Sequence, residues 1–301
     1  MDSTHPAVVV AVGPDGSPAA LRYAAAEALR QDRGLRLVHA TGPVVDDPRT
    51  RRRRAEDAGL LLASVRARVE TEVAGRVPVC AEAVVGAPVD ALARVTLDSP
   101  LVVIGRRSSG RSRHRQLRSV AEALAAHLHA PVASVPDGWR PDPIRASVVV
   151  VGVDPARDSG DVQRAGFTEA RRRGARLRLV SAWWRPTGAD GRSPLGRVDE
   201  SVGAELLGAE VVGSCAVLRT GYAEVPTEVV VVQAATTRAL AAEAGTADLL
   251  VLGRHTPWLS AGSCLGPVAR DLLDTASCPV LLTAVAAAQG IQVAPPTPRG
   301  A

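Results

Sequence analysis

Lysine and asparagine are absent from this 301-residue sequence, so all 36 of its basic side chains are arginine. Aromatic residues are scarce as well, at 2% of the chain. A protein that binds nucleic acid usually combines a basic surface with aromatic groups that stack on the bases. The formal net charge of +5 is more typical here of a GC-rich coding sequence. We interpret the composition as an argument against nucleic acid as a partner.

Long apolar runs are also missing. No window approaches the roughly 18 apolar residues that a membrane helix needs, and the amino terminus lacks the basic and apolar segments of a secretory signal. The four cysteines stand far apart and form no pair or cluster with the spacing of metal ligands. We therefore expect a soluble, cytoplasmic protein with free thiols, no metal site and no membrane partner.

What the sequence does contain is one pattern that occurs twice. Short hydrophobic strands alternate with helical patterns along both copies, which predicts mostly parallel sheets covered by helices on both faces. The matching segments are VVVAVG at 8–13 with VVVVGVD at 148–154, LRLVHAT at 35–41 with LRLVSAW at 177–183, and SPLVVIGRR at 99–107 with ADLLVLGRH at 247–255. The repetition predicts two domains of one α/β fold in a single chain.

The spacing between the copies shows where their lengths differ. Gly105 and Gly253 are 148 residues apart, and Pro131 and Pro279 are separated by the same 148. The second-strand segments are only 142 residues apart. The insertions therefore lie in the middle helix and loops, whereas the terminal strand-loop-helix-strand unit has one length in both copies.

The domain boundaries follow from this repeat. We place the first domain at residues 1–137 and the second at residues 147–286. Residues 138–146 between them carry prolines and are predicted to form a linker. The tail at 287–301, rich in proline and small residues, is predicted to be disordered.

Several short motifs carry a resemblance to a known family. One strand ends in VGVD at 151–154, another ends in VHA at 38–40, and both fourth strands end in glycine. The fifth strands are entered through HAPV at 129–132 and SCPV at 277–280. Together these motifs resemble the universal stress protein family in its tandem, two-domain form, and the resemblance covers nearly the whole chain.

The resemblance implies a Rossmann-like α/β fold with two doubly wound, five-stranded parallel sheets in tandem, each with strand order 3-2-1-4-5. It also implies that the fifth strands, at 132–135 and 280–283, meet across a pseudo-two-fold axis as an intrachain pseudo-dimer. Such a contact would cover two exposed sheet edges. Whether two chains associate further into a homodimer stays open.

Members of the family that bind ATP hold it in the crevice between strands one and four. An aspartate at the end of strand one lies near the adenosine, and a loop of the form G-x2-G-x9-G-[ST] after strand four wraps the phosphates. Glycines permit close backbone approach, and the amino terminus of the following helix adds positive potential. ATP is therefore the cofactor that the resemblance implies.

The first domain keeps part of this loop. It reads Gly105-x2-Ser108-x9-Arg118-Ser119, so the first glycine and the final hydroxyl are retained. Serine and arginine replace the other two glycines, which removes part of the close backbone wrap. Gly110, two residues past the missing second glycine, is a candidate substitute.

Other candidate nucleotide contacts of the first domain flank this loop. Gly13 occupies the position of the strand-one aspartate, and Asp15 follows two residues later beyond a proline. His39 closes the second strand, and Val120 comes directly after the loop hydroxyl. With no serine or cysteine partner at a recognisable spacing, we interpret His39 as structural rather than as a catalytic base.

The second domain departs differently, as Gly253-x2-Thr256-x9-Gly266-Pro267. Asp154 is in register at the end of its first strand. Pro267 has neither a hydroxyl nor a backbone N–H and so removes two phosphate donors, although proline is favoured at the first position of a helix. Each domain therefore keeps a different part of the site.

Six arginines stand in or beside the first loop. They are Arg106, Arg107, Arg111, Arg113, Arg115 and Arg118. Their side chains could hold phosphates where the backbone cradle is lost, or the loop could be a solvated basic segment, and both interpretations stay open. The first domain is the expected site of nucleotide binding.

Three functions fit the sequence. The first is a stress-response regulatory protein that binds an adenine nucleotide weakly, as a sensor or switch. The second is a nucleotide-independent scaffold with the same fold, acting through an unknown protein partner. The third, a slow nucleotide hydrolase, fits least, because no Walker lysine, paired carboxylates or nucleophile elbow is present in the sequence. We therefore expect a protein that is not an enzyme.

Overall fold

The computed structural model describes residues 6–106, 122–128, 130–142, 146–155, 159–183, 200–254 and 265–283. The predicted tail, and most of each loop after strand four, lie outside these ranges. Below, the first half is the part of the chain before the linker and the second half is the part after it.

Ten strands of the described residues form a single sheet. In chain order they are β1 (Val8–Ala11), β2 (Leu35–Ala40), β3 (Val79–Val84), β4 (Val102–Arg106), β5 (Val132–Pro136), β6 (Val148–Gly152), β7 (Arg176–Trp183), β8 (Thr227–Gln233), β9 (Leu249–Leu252) and β10 (Val280–Leu282). Across the sheet their order is β3-β2-β1-β4-β5-β10-β9-β6-β7-β8. The first half therefore has the order 3-2-1-4-5 and the second half repeats it in reverse, which confirms the predicted fold class.

An antiparallel pairing of β5 with β10 joins the two halves. The paired residues are Val280 with Ser134, Leu281 with Ala133, and Leu282 with Val132. Positions 133 and 281 are equivalent, 148 residues apart, so their pair lies on a local two-fold axis. The predicted contact between the fifth strands is confirmed, and each half covers an edge that the other would expose.

Helices cover both faces of this sheet. Within the described residues they are α1 (Pro18–Gln31), α2 (Pro48–Val73), α3 (Pro88–Val95), α4 (residues 122–127), α5 (Gly160–Arg173), α6 (Glu200–Ser214), α7 (Ala216–Gly221), α8 (Thr236–Ala244) and α9 (Pro267–Thr275). None of those helices has the length and apolar character that would let it cross a membrane.

The helices α1 and α5 are counterparts in the two halves. Both are 14 residues long, and both end at a residue with a left-handed backbone, Asp32 at φ 49° and Gly174 at φ 58°. A constant offset of 142 therefore relates their positions, as for Glu27 and Glu169.

One face of the sheet is buried as a single apolar cluster that spans both halves. It includes Leu37 and Leu179 from matching strands, together with Phe167 of α5. The opposite face carries two further clusters, one of first-half residues and one of second-half residues together with Ala125 of α4. Parallel strands that are buried on both faces have continuous apolar sequences. This explains the valine-rich sequences of β1 and β6.

A buried ion cluster lies between α1 and α5. Arg173 donates to Glu27 at 2.5 Å and to Glu169, and its Nη2 also donates to the hydroxyl of Tyr23 at 3.1 Å. The side chains of Glu27 and Arg173 are 1% and 5% exposed. Gln31 stands at the position equivalent to Arg173, so two equivalent carboxylates share one guanidinium. We call Tyr23, Glu27, Glu169 and Arg173 the shared ion cluster.

Candidate functional site

The crevice expected in the first half lies where β1 and β4 run side by side. The strands pair in parallel, and the other neighbour of β1 is β2. Their carboxyl ends therefore flank a topological switch point, where doubly wound sheets bind ligands. Methyl groups built onto Gly13 and Gly105 would lie 3.1 and 3.3 Å from the same atom, Oγ of Ser17. The structure thus brings these two predicted site residues together at one edge.

The carboxylate of Asp15 lies close to the end of β1, although the residue comes two positions after Gly13. The strand registers place Gly13 at the position of Asp154. In the turn that follows, the N–H of Gly16 donates to the carbonyl of Gly13 at 2.9 Å, and Gly16 has a φ of 76°, a left-handed conformation that favours glycine. A methyl group on Gly13 would lie 2.9 Å from Oδ1 of Asp15. The first crevice therefore has a carboxylate at its mouth, although the sequence position differs.

Ser17 is a site residue that is missing from the contacts predicted from the sequence. Its Oγ accepts a hydrogen bond from the N–H of Gly13 at 3.2 Å, and the residue is 8% exposed. Because this bond uses the oxygen as an acceptor, the hydroxyl hydrogen can be donated to a ligand. The available signal was the run DGSP at 15–18 directly after the first strand.

His39, at the end of β2, is fixed in one tautomer. Its Nδ1 lies 2.8 Å from the carbonyl oxygen of Val12. A carbonyl only accepts, so Nδ1 carries the hydrogen and donates it. The bond ties β2 to the segment after β1, and Nε2 is the ring nitrogen that can contact a ligand.

The equivalent crevice of the second half lies beyond β6 and β9. Asp154 is exposed there, and its backbone carbonyl accepts a hydrogen bond from the hydroxyl of Ser159 at 2.9 Å. Gly253 follows β9. Gly266 is the N-cap of α9 and Pro267 begins the helix, so its first turn lacks one backbone donor.

Several predicted contacts lie outside the described residues. They are Arg107, Ser108, Gly110, Arg118, Ser119, Val120 and Thr256, together with Arg111, Arg113 and Arg115 of the basic loop. Both interpretations of that loop therefore stay predictions.

Arg106, a predicted phosphate contact, has a partner in the other half. Its Nη2 donates to the carbonyl of Ala276 at 2.5 Å. The counterpart Arg254 donates through Nη1 to the carbonyls of Ala125 and Leu128 at 2.7 and 2.6 Å, and through Nη2 to a third carbonyl just beyond them. Arg106 and Arg254 are 148 residues apart, and so are the accepting residues Leu128 and Ala276. The pseudo-two-fold axis therefore repeats one contact. In this structure Arg106 is an interface residue.

Cys278 provides a chemical probe of this interface. Its side chain is 3% exposed, and burial raises the pKa of its thiol to about 12, against the opposing charge of Arg106. Such a thiol keeps its proton at neutral and mildly alkaline pH, and the thiolate is the reactive form. We expect iodoacetamide to label the exposed Cys80 and to spare Cys278, as read by mass spectrometry of peptides. Rapid native labelling of Cys278 would contradict the buried interface.

Comparison with known proteins decides the family. The model of the universal stress protein family matches residues 6–136 and again residues 146–284. The chain belongs to the universal stress protein family. Its tandem, two-domain form, predicted from the sequence, is confirmed by the two matches.

Similar proteins span nearly the whole of this universal stress protein. Universal stress protein Rv2623 of Mycobacterium tuberculosis is 30% identical over 296 residues, covering 94% of this chain and 98% of its own. Universal stress protein Rv1996 of the same species is 28% identical over 313 residues, covering 92% of this chain and 95% of its own. A universal stress protein from Archaeoglobus fulgidus matches in structure with a TM-score of 0.61 at 17% identity, covering 91% of this chain and 95% of its own. This last likeness is one of fold.

Proposed function

We propose that this universal stress protein is a cytoplasmic stress-response regulator that binds ATP weakly in the crevice of the first half. The observation that carries the proposal is the geometry after β1. The Asp15 carboxylate lies beside Gly13, and Ser17 lies between Gly13 and Gly105. A carboxylate can accept from ribose hydroxyls, and a hydroxyl and close backbone can donate to phosphate oxygens. Occupancy of the crevice would be the regulatory signal.

The second half offers fewer phosphate donors. Pro267 begins α9 without an N–H, and its N-cap, Gly266, has no hydroxyl. The equivalent sequence positions of the first half are Arg118 and Ser119, which supply a cation and a hydroxyl. We therefore expect one ATP per chain.

Titration of the purified chain with a fluorescent ATP analogue tests this proposal. We expect saturable binding and a higher melting temperature with ATP and magnesium, since a ligand at one hundred times its Kd stabilises the folded state by about 2.7 kcal/mol. Ser119→Ala removes the loop hydroxyl and should weaken binding about tenfold. Asp154→Ala, in the other half, is the matched control and should bind like the unmodified chain. Loss of binding in Asp154→Ala alone would move the site to the second half.

A scaffold that has lost the nucleotide is the second candidate, and the contacts of β4 favour it. A methyl group on Gly105 would lie 3.3 Å from Oγ of Ser17, and Arg106 is engaged with Ala276. Gly105 therefore packs closely against the start of α1, and the Arg106 guanidinium donates across the interface between the halves. An unchanged melting temperature at millimolar ATP would support the scaffold.

A slow nucleotide hydrolase is the least supported candidate. Phosphoryl transfer requires an acid that positions a metal ion beside the phosphates. The sequence contains no Walker lysine and no paired carboxylates that would mark such a site. Phosphate release from ATP above the buffer rate, in proportion to protein concentration, would favour the hydrolase over both other candidates.

A further inference from the structure

A cavity of about 370 Å³ lies between the two halves. One wall is formed by Arg164, Ala165 and Thr168 of α5, and another part by Tyr23 of α1. Residues at the amino ends of β4 and β5 and at the carboxyl end of β10 complete it. Its volume falls in the range of small-molecule sites, roughly 300–1,000 Å³. Because β4 contributes its amino end, the cavity is separate from the nucleotide crevice.

The pseudo-two-fold axis relates this cavity to a second place, which is filled. There α1 presents Arg22 and Tyr23, the counterparts of Arg164 and Ala165. Trp139, which follows β5, packs on Tyr23 with ring centroids 5.3 Å apart and ring planes at 77°. The carbonyl of Trp139 accepts a hydrogen bond from Nη2 of Arg22 at 3.2 Å. We call this filled place the first niche and the open cavity the second niche.

Two sequence differences explain why the second niche is open. Ala165 stands where the first half has Tyr23, so one ring is replaced by a methyl group. The position equivalent to Trp139 is Ala287, at the offset of 148. The sequence after β10, residues 284–301, contains no aromatic residue. That segment therefore supplies no counterpart of the ring that fills the first niche.

Arg164 gives the second niche a hydrogen-bond donor. Its side chain is exposed, and within the described ranges its guanidinium makes no hydrogen bond or ion pair. The counterpart Arg22 shows what such a group does in the first niche, where it binds a carbonyl oxygen. Two carboxylates also line the cavity. Glu169 pairs with Arg172 at 3.0 Å, and Asp161, one helical turn before Arg164, is exposed. A ligand group that accepts hydrogen bonds, preferably a carboxylate, would satisfy the guanidinium of Arg164.

We propose that the second niche binds a small planar aromatic acid of about indole size. The ring would take the place that Trp139 has in the first niche, with its flat face against Ala165 and the edge of Tyr23. The carboxylate would accept from Arg164 as the Trp139 carbonyl accepts from Arg22. An aromatic ring that leaves water in this way contributes both apolar burial and contact with the neighbouring ring.

Indole-3-acetate, titrated into the full chain by isothermal calorimetry, is the probe for this site. One saturable site is expected. Ala165→Trp fills the second niche with a ring of the chain itself and should abolish binding. Arg164→Gln changes an exposed side chain and should weaken binding about tenfold, by loss of one charge-assisted hydrogen bond. If Ala165→Trp lowers the melting temperature, its loss of binding is no longer specific to the niche. The binding of Arg164→Gln then tests the proposal.

Trp139→Ala is the matched change in the first half. It opens the first niche beside Tyr23 and Arg22, so the stoichiometry of indole-3-acetate should rise from one to two. The proposal is overturned if the unmodified chain shows no saturation, or if Ala165→Trp and Arg164→Gln bind as the unmodified chain does. A stoichiometry that stays at one in Trp139→Ala contradicts the equivalence of the two niches, on which the proposal depends.

Discussion

Replacement of Arg173 by glutamine is expected to lower the free energy of unfolding by about 3 kcal/mol. Arg173 is the cation that Glu27 and Glu169 share across the two halves, and it is 5% exposed. Its removal leaves two buried carboxylates facing each other with less positive charge to neutralise them. Each carboxylate keeps an outer arginine, at 2.6 Å for Glu27 and 3.0 Å for Glu169, so the lower end of the range for broken buried pairs applies. Urea unfolding of the full chain measures the loss.

Pseudo-symmetry provides a rescue for this variant. Gln31 holds the position equivalent to Arg173, and its Nε2 lies 3.5 Å from Oε2 of Glu27. Adding Gln31→Arg to Arg173→Gln moves the guanidinium to the other side of the local axis and should restore most of the lost stability. If the double variant is no more stable than Arg173→Gln, the carboxylates do not share one cation as described.

Arg178 is the matched control for the same chemistry at the sheet surface. It also pairs with two glutamates, Glu228 at 3.1 Å and Glu243 at 2.6 Å, but its side chain is 23% exposed. Ion pairs that water reaches contribute only about 0–1 kcal/mol. Arg178→Gln should therefore cost less than about 1 kcal/mol, and an equal loss in both variants would show that burial does not decide the effect.

Replacement of Arg254 by methionine is the second large effect, a loss of roughly 3 kcal/mol of unfolding free energy. Arg254 donates to the carbonyls of Ala125, Leu128 and Ala130, at and just beyond the end of α4. Hydrogen bonds from a charged donor are the stronger kind, and a cation near the carboxyl end of a helix also interacts favourably with its dipole. Methionine keeps most of the volume and removes all of these bonds.

Arg106 is the matched residue for this second prediction. It makes one described hydrogen bond to the other half, to Ala276, where Arg254 makes several. Arg106→Met should therefore cost roughly 1 kcal/mol, about the value of one such bond. Urea unfolding of both variants gives the comparison, and a larger loss in Arg106→Met than in Arg254→Met would contradict the described contacts.

The sheet could be predicted from the sequence because its signals are local and repeated. Valine-rich runs such as those of β1 and β6 mark strands buried on both faces, and the constant spacing of Gly105 and Gly253 marks a duplicated unit. Pro267 at the start of α9 was predicted for the same kind of reason, since proline suits the first position of a helix.

The interface chemistry could not be predicted because its partners are far apart in sequence. Arg106, a candidate phosphate contact at the end of β4, donates to the carbonyl of Ala276, which is 170 residues away. Glu27 and Arg173 are 146 residues apart in sequence, and their buried ion pair forms where α1 and α5 meet. One signal was present, because Gly-Arg occurs at the same position of both copies. A residue retained in both halves of a duplicated fold is a candidate for their mutual interface.

Ser17 and Asp15 show a third kind of difference. The registers of β1 and β6 place Gly13 where the aspartate belongs, so a comparison by strand position finds the carboxylate missing. The turn through Gly16 then restores it in space. Strand position and spatial position disagree here by two residues, a displacement that only the path of the backbone resolves.

Differential scanning calorimetry of the full chain tests most directly the claim that the two halves form one body. With one continuous sheet, one core cluster common to both halves and a shared ion cluster, unfolding should be a single transition. Its calorimetric and van't Hoff enthalpies should agree, as for one cooperative unit. Two resolved transitions, of which Arg173→Gln shifts only one, would contradict the account.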